Sequence, residues 1–156
     1  MAMTLTQNEV EKRISLLKRL KATLAHQREK FQTYLQVLDA EKASIETDAV
    51  DTLRLQVELE EELVVDIHAI QKVIDPLEVL FLQSYQGSSD EEVADLKSSL
   101  DALKTKVQER SRENRGLLTQ SMEALEREMV RVRPQVRSRN PYGAVRAPSV
   151  LVDITT

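Results

Sequence analysis

Apolar residues return along the first third of the chain at strict seven-residue spacing: Val10, Leu17, Leu24, Phe31, Leu38 and Ile45. Six consecutive returns are the mark of a helix that keeps one side against a neighbour. A companion column, Ile14, Lys21, Arg28, Leu35 and Lys42, is apolar only in places, with Leu16 and Leu20 widening the stripe. The spacing predicts one amphipathic helix over about residues 7–46, roughly 60 Å long at a rise of about 1.5 Å per residue.

The segment "SIETDAVD" then gathers Ser, Thr and Asp, side chains that bond their own backbone and cap helices, so the chain is expected to reverse here. A second apolar series follows: Leu53, Val57, Leu63, Ile67, Ile70, Ile74, Leu77 and Phe81. The acidic run Glu58, Glu60, Glu61 and Glu62 lies among them and reads as a solvated face near a helix N-terminal half. Asp75, Pro76 and Glu78 have the order of an N-cap, a first-turn proline and an N3 acid, the signature of a helix starting afresh. The apolar spacing nevertheless continues, and the expectation is a helix over 49–85 kinked or briefly broken at Pro76.

"QGSSDEE" supplies a loop with Ser89 and Glu92 at capping-box spacing. A third helix is expected over 90–132, with Val93, Leu96, Leu100, Leu103 and Val107 in heptad rhythm. After the polar stretch "QERSRENRG", Leu118, Met122, Leu125, Met129 and Val132 resume the stripe. Stepping from Val107 to Leu118 passes Ser111 and Asn114, an eleven-residue step that relaxes left-handed supercoiling. Three of the four prolines fall in the last 24 residues, so the domain reading is a helical bundle over 1–132 and an Arg- and Pro-containing flexible tail over 133–156. The fold class is all-α: an elongated antiparallel bundle, or coiled coil, of three long helices with an irregular C-terminal tail.

Composition sharpens that picture. With 156 residues, five aromatics, three glycines, no cysteine and 31% charged residues, the chain suits long helices and lacks disulfides and thiolate sites. The net charge of −4 divides into −8 over residues 1–130 and +4 over 131–156. Five scattered arginines make too small a basic face for nucleic acid. The longest uncharged run, Val79 to Ser89, is too short to cross a bilayer, and no signal-peptide stretch opens the chain, so a soluble, cytoplasmic protein without membrane insertion is expected. His26 and His68 stand apart, the glycines form no phosphate loop, and no serine is framed as a nucleophile. No catalytic residue, metal or cofactor is therefore expected, and an enzyme is the last of the readings.

Three segments carry a resemblance. "YLQVLDAEKASIETDAVDTLRLQVELEEELV", the Asn114-x-x-Leu117-Leu118 element within "LDALKTKVQERSRENRGLLTQSMEAL", and "NPYGA" with Tyr142 and Gly143 together resemble the FlgN-type flagellar export chaperones. The chain departs from them in its terminal "VRAPSVLVDITT" and in Pro76. The resemblance implies a cytosolic type III export chaperone that binds the C-terminal helical segments of the hook-filament junction proteins FlgK and FlgL, prevents their premature assembly and brings them to the export gate component FlhA. Client binding is assigned to Leu118, Met122, Leu125, Met129 and Val132, where flexible thioethers suit two related clients. The resemblance implies gate docking by Tyr142 with Gly143, and the flanking Asn140 and Pro141 favour a turn that presents the ring. The alternative is a structural coiled-coil dimer or scaffold; the two turn signals that divide the chain into three similar segments favour a folded-back bundle over a rod.

Overall fold

The computed structural model describes residues 6–85 and 90–136. Three helices follow one another: α1 (Gln7–Glu46), α2 (Val50–Ser84) and α3 (Glu91–Val136), with no strand among the described residues. The protein is all-α, as its periodicity predicts. The chain divides into two units, Met1–Thr119, which holds α1, α2 and most of α3, and Gln120–Thr156, which holds the last turns of α3.

Within the first unit the register follows from cross-helix pairs. Lys30 meets Asp66 at 3.0 Å, Gln27 donates to Gln71 at 2.9 Å, and the Tyr85 hydroxyl donates to the Arg13 carbonyl at 2.9 Å, so α1 and α2 run antiparallel. Lys21 reaches Asp90 and Glu92, Lys104 sits over the Phe31 ring, and Arg110 pairs with Asp39 at 2.7 Å, so α3 runs alongside α1 in the same direction. Lys97 joins Glu78 of α2 at 3.0 Å. The ion pairs among these lie at the surface, set register and contribute little stability each. Burial of Leu20, Leu24, Phe31, Leu38, Leu63, Ile74, Leu77, Phe81, Val93, Leu100 and Val107 holds the three helices together.

Local chemistry explains the ends of the helices. Thr6 caps α1 in a reciprocal capping box with Glu9, whose carboxyl the Thr6 backbone N–H holds below its usual range. At the other end Asp48 takes a φ of 53°, a left-handed conformation that Asp tolerates better than most residues, and Ala49 N–H donates to the Ser44 carbonyl. The Ser and Thr of this turn serve the end of α1: the Ser44 and Thr47 hydroxyls donate to the Ala40 and Ala43 carbonyls. They do not cap α2 as the sequence suggests, for Ala49 stands at its N-cap with no side-chain bond. At α3 the cap is Asp90, whose carboxylate accepts the Val93 N–H at 3.1 Å; Ser89 lies outside the described residues.

The brief break expected at Pro76 is absent, because α2 runs unbroken from Val50 to Ser84. Ile74, Leu77 and Phe81 are all buried, and that continuous apolar face holds the backbone in register while the proline ring lies on the exposed side. Asp75 accepts from Gln71 one turn earlier instead of capping a new helix. Pro76→Ala is therefore expected to restore the missing N–H and raise stability by about 2 kcal/mol, after the greater freedom of the unfolded alanine chain is subtracted, as read by a thermal melt. Similarly, α3 continues past the expected end at Val132 to Val136 and includes Pro134. The rest of the expected tail, 137–156, lies outside the described residues.

Candidate functional site

The candidate client-binding residues gather on one face of α3. Leu118, Met122, Leu125, Met129 and Val132 follow one another by four, three, four and three, which on a helix of about 3.6 residues per turn makes a continuous stripe. All five are exposed, from 36% at Leu118 to 59% at Leu125. Exposure at that level separates them from core residues, and five large apolar side chains in one row are more than scattered surface hydrophobics. Tyr142 and Gly143, the residues expected to dock at the gate, lie outside the described residues.

This stripe does not continue the inward seam of α3. The buried column is Val93, Leu100, Val107 and Asn114, and seven residues on it reaches the half-buried Ser121. Polar residues thus occupy the seam after Val107, and the apolar series is set to one side by the four-residue step from Asn114 to Leu118. The stretch "QERSRENRG" is unbroken helix, and a Cβ at Gly116 would meet nothing within 4 Å.

A second feature escaped the sequence reading: a buried polar layer within the first unit. The companion column of α1 is not Ile14, Lys21, Arg28, Leu35 and Lys42. It is Leu20, Gln27, Tyr34 and Glu41, all buried, whereas Ile14 and Lys42 are exposed. Glu60 is also inside, 6% exposed, and so departs from the solvated run of Glu58, Glu61 and Glu62. The signal was its spacing: Glu60 lies seven residues after Leu53 and seven before Ile67. Asn114 of α3 donates from Nδ2 to the Leu38 carbonyl at 2.8 Å, which satisfies a buried amide and ties α3 to the backbone of α1.

Electrostatics in this layer follow from burial. The Glu60 carboxyl is pushed up to about 9, first by burial and then by the facing Glu41, with Arg115 acting in the opposite direction. The Tyr34 hydroxyl is pushed up to about 12 by burial and by the Glu60 and Glu41 charges. Both shifts favour the protonated, uncharged forms. Among the described residues no group of three or more His, Asp or Glu side chains converges as a metal site, and no helix is long and apolar enough to cross a membrane.

An uncharacterized protein of Treponema pallidum (strain Nichols) is 39% identical to this chain over 124 residues, covering 80% of this chain and 79% of the treponemal one. The chain belongs to that protein's family. The uncovered fifth of the chain is shorter than any of the three helices, so the likeness within the family reaches into α1, α2 and α3 alike. No family model and no solved structure matches the chain.

Proposed function

We propose that the protein is a binding protein rather than an enzyme: a cytosolic export chaperone of the FlgN type. It takes amphipathic C-terminal helices of hook-filament junction proteins such as FlgK and FlgL and carries them to the export gate component FlhA, docking through Tyr142 and Gly143. The observation that carries this reading is the exposed stripe Leu118, Met122, Leu125, Met129 and Val132. A helix that presents apolar side chains at helical spacing offers a client helix the surface it otherwise uses to polymerise, and covering that surface prevents assembly. Met122 and Met129 adapt their shape to more than one client. A second reading, a coiled-coil dimer or scaffold, draws on the same four-three spacing, which equally suits the matching helix of another copy.

The test is capture of the C-terminal segments of FlgK and FlgL by the purified protein, with a variant in which Leu118, Met122, Leu125 and Met129 are replaced by serine. Capture is expected to weaken by about 100-fold or more, roughly 3 kcal/mol, while the melting temperature changes by a few degrees at most because all four side chains are already exposed. Unimpaired capture by the variant, or none by the parent protein, overturns the reading. Wild-type sedimentation as a dimer that the variant abolishes favours the scaffold.

A further inference from the structure

The layer around Glu41 and Glu60 lies at core positions. In α2 the column that carries Glu60 otherwise holds Leu53, Ile67, Ile74 and Phe81; in α1 the column that carries Glu41 otherwise holds Leu20, Gln27 and Tyr34. The two carboxyl groups lie within hydrogen-bonding reach of each other across the α1–α2 interface. Glu41 Oε2 and Glu60 Oε1 are both shut off from solvent, and neither accepts a hydrogen bond from another protein group. Two ionised carboxylates in that arrangement repel each other, leave acceptors unpaired and place charge in a poorly solvated space.

We propose that Glu41 and Glu60 share a single proton across the α1–α2 interface, and that this proton latches the helices of the first unit together, so that its loss loosens the bundle.

The groups that face the pair favour one proton. Tyr34 comes from α1, Glu61 from α2 itself, and Arg115 from α3. With one proton on the pair, its remaining negative charge is offset by the guanidinium of Arg115, leaving only the exposed Glu61; with none, the pair sets two negative charges against that single guanidinium. Arg115 is itself exposed, so solvent screens its ability to hold a second carboxylate. Tyr34 keeps its proton throughout and offers no further counter-charge.

The direction of the pH dependence is opposite to that of an ordinary salt-bridged carboxylate. The Glu60 carboxyl stands at about 9 in the folded chain against 4.5 for the free side chain. The folded state therefore binds the proton more tightly. Its contribution to stability is complete below the unfolded value and declines as pH rises, until it is lost above the folded value.

Thermal melts of the full chain between about pH 5 and about pH 9 test the latch, with Glu60→Gln as the variant that mimics the protonated side chain. The wild-type melting temperature is expected to fall by several degrees across this range, and the Glu60→Gln melting temperature to fall by less than half as much. Wild-type and variant melts that move in parallel overturn the proposal. Carbon-13 titration of the glutamate side-chain carboxyls in the wild-type protein decides the matter should the variant not fold. A carboxyl with a midpoint above about pH 7 supports the shared proton, and titration of every glutamate below about pH 6 overturns it.

Discussion

Leu20→Ala is expected to destabilise the bundle by about 2–5 kcal/mol in chemical denaturation, among the largest effects any single truncation in α1 can produce. Leu20 is completely buried, and Leu24, one turn on, is 2% exposed. Removing three carbon atoms there forfeits their transfer from water and leaves a cavity that the surrounding packed helices fill only partly. The matched control is Val10→Ala. Val10 shares the seven-residue column with Leu24 and Leu38, yet it is 40% exposed, and its truncation is expected to cost less than about 0.5 kcal/mol. The contrast arises because Tyr85, the residue that follows α2, already meets the Arg13 carbonyl. The first turns of α1 therefore precede the part that α2 covers. Equal losses at Leu20 and Val10 would show that the helices pair in another register.

Phe81→Ala should cost about 3–5 kcal/mol. The Phe81 ring is 8% exposed and stacks on Tyr85 at 5.0 Å between centroids, and Tyr85 in turn donates to α1. Truncating Phe81 removes a large apolar surface and frees the ring that ties the end of α2 to α1. The measurement also bears on Pro76. An α2 that ended near Asp75 would leave Phe81 on a loosely attached segment and reduce the loss to below about 1 kcal/mol, whereas an unbroken α2 makes Phe81 part of the core. Hydrogen exchange at Leu77 to Ser84 in the wild-type chain supplies an independent reading, with protection expected to match that of Leu63 to Ile70.

Periodicity determined the three helices and the grouping of Leu118, Met122, Leu125, Met129 and Val132 on one face, and the Ser-, Thr- and Asp-rich segment "SIETDAVD" marked the turn at Thr47–Ala49. Local rules suffice for these features, since a helix sets the positions of its own side chains and a turn needs particular backbone chemistry. The family that the chain joins adds no activity to this picture, and the client and gate assignments rest on resemblance and on the exposed stripe.

Tertiary structure decided which side chains are inside. Apolar character selected Ile14 for the seam and passed over Gln27, Glu41, Glu60 and Asn114, yet Ile14 is exposed and those four are buried. Burial at a heptad position depends on what the neighbouring helices place opposite, and partners 44 or 76 residues away, Gln71 for Gln27 and the Leu38 carbonyl for Asn114, leave no trace in local spacing. The same holds for the α3 stripe, whose pattern fits a core seam and a binding face equally well. Asp39 of α1 pairs with Arg110, and α1 ends only seven residues later at Glu46, so Asn114 lies near the last position that α1 can cover. The lengths and relative register of three helices, which no single stretch of sequence contains, separate the buried column of α3 from its exposed one.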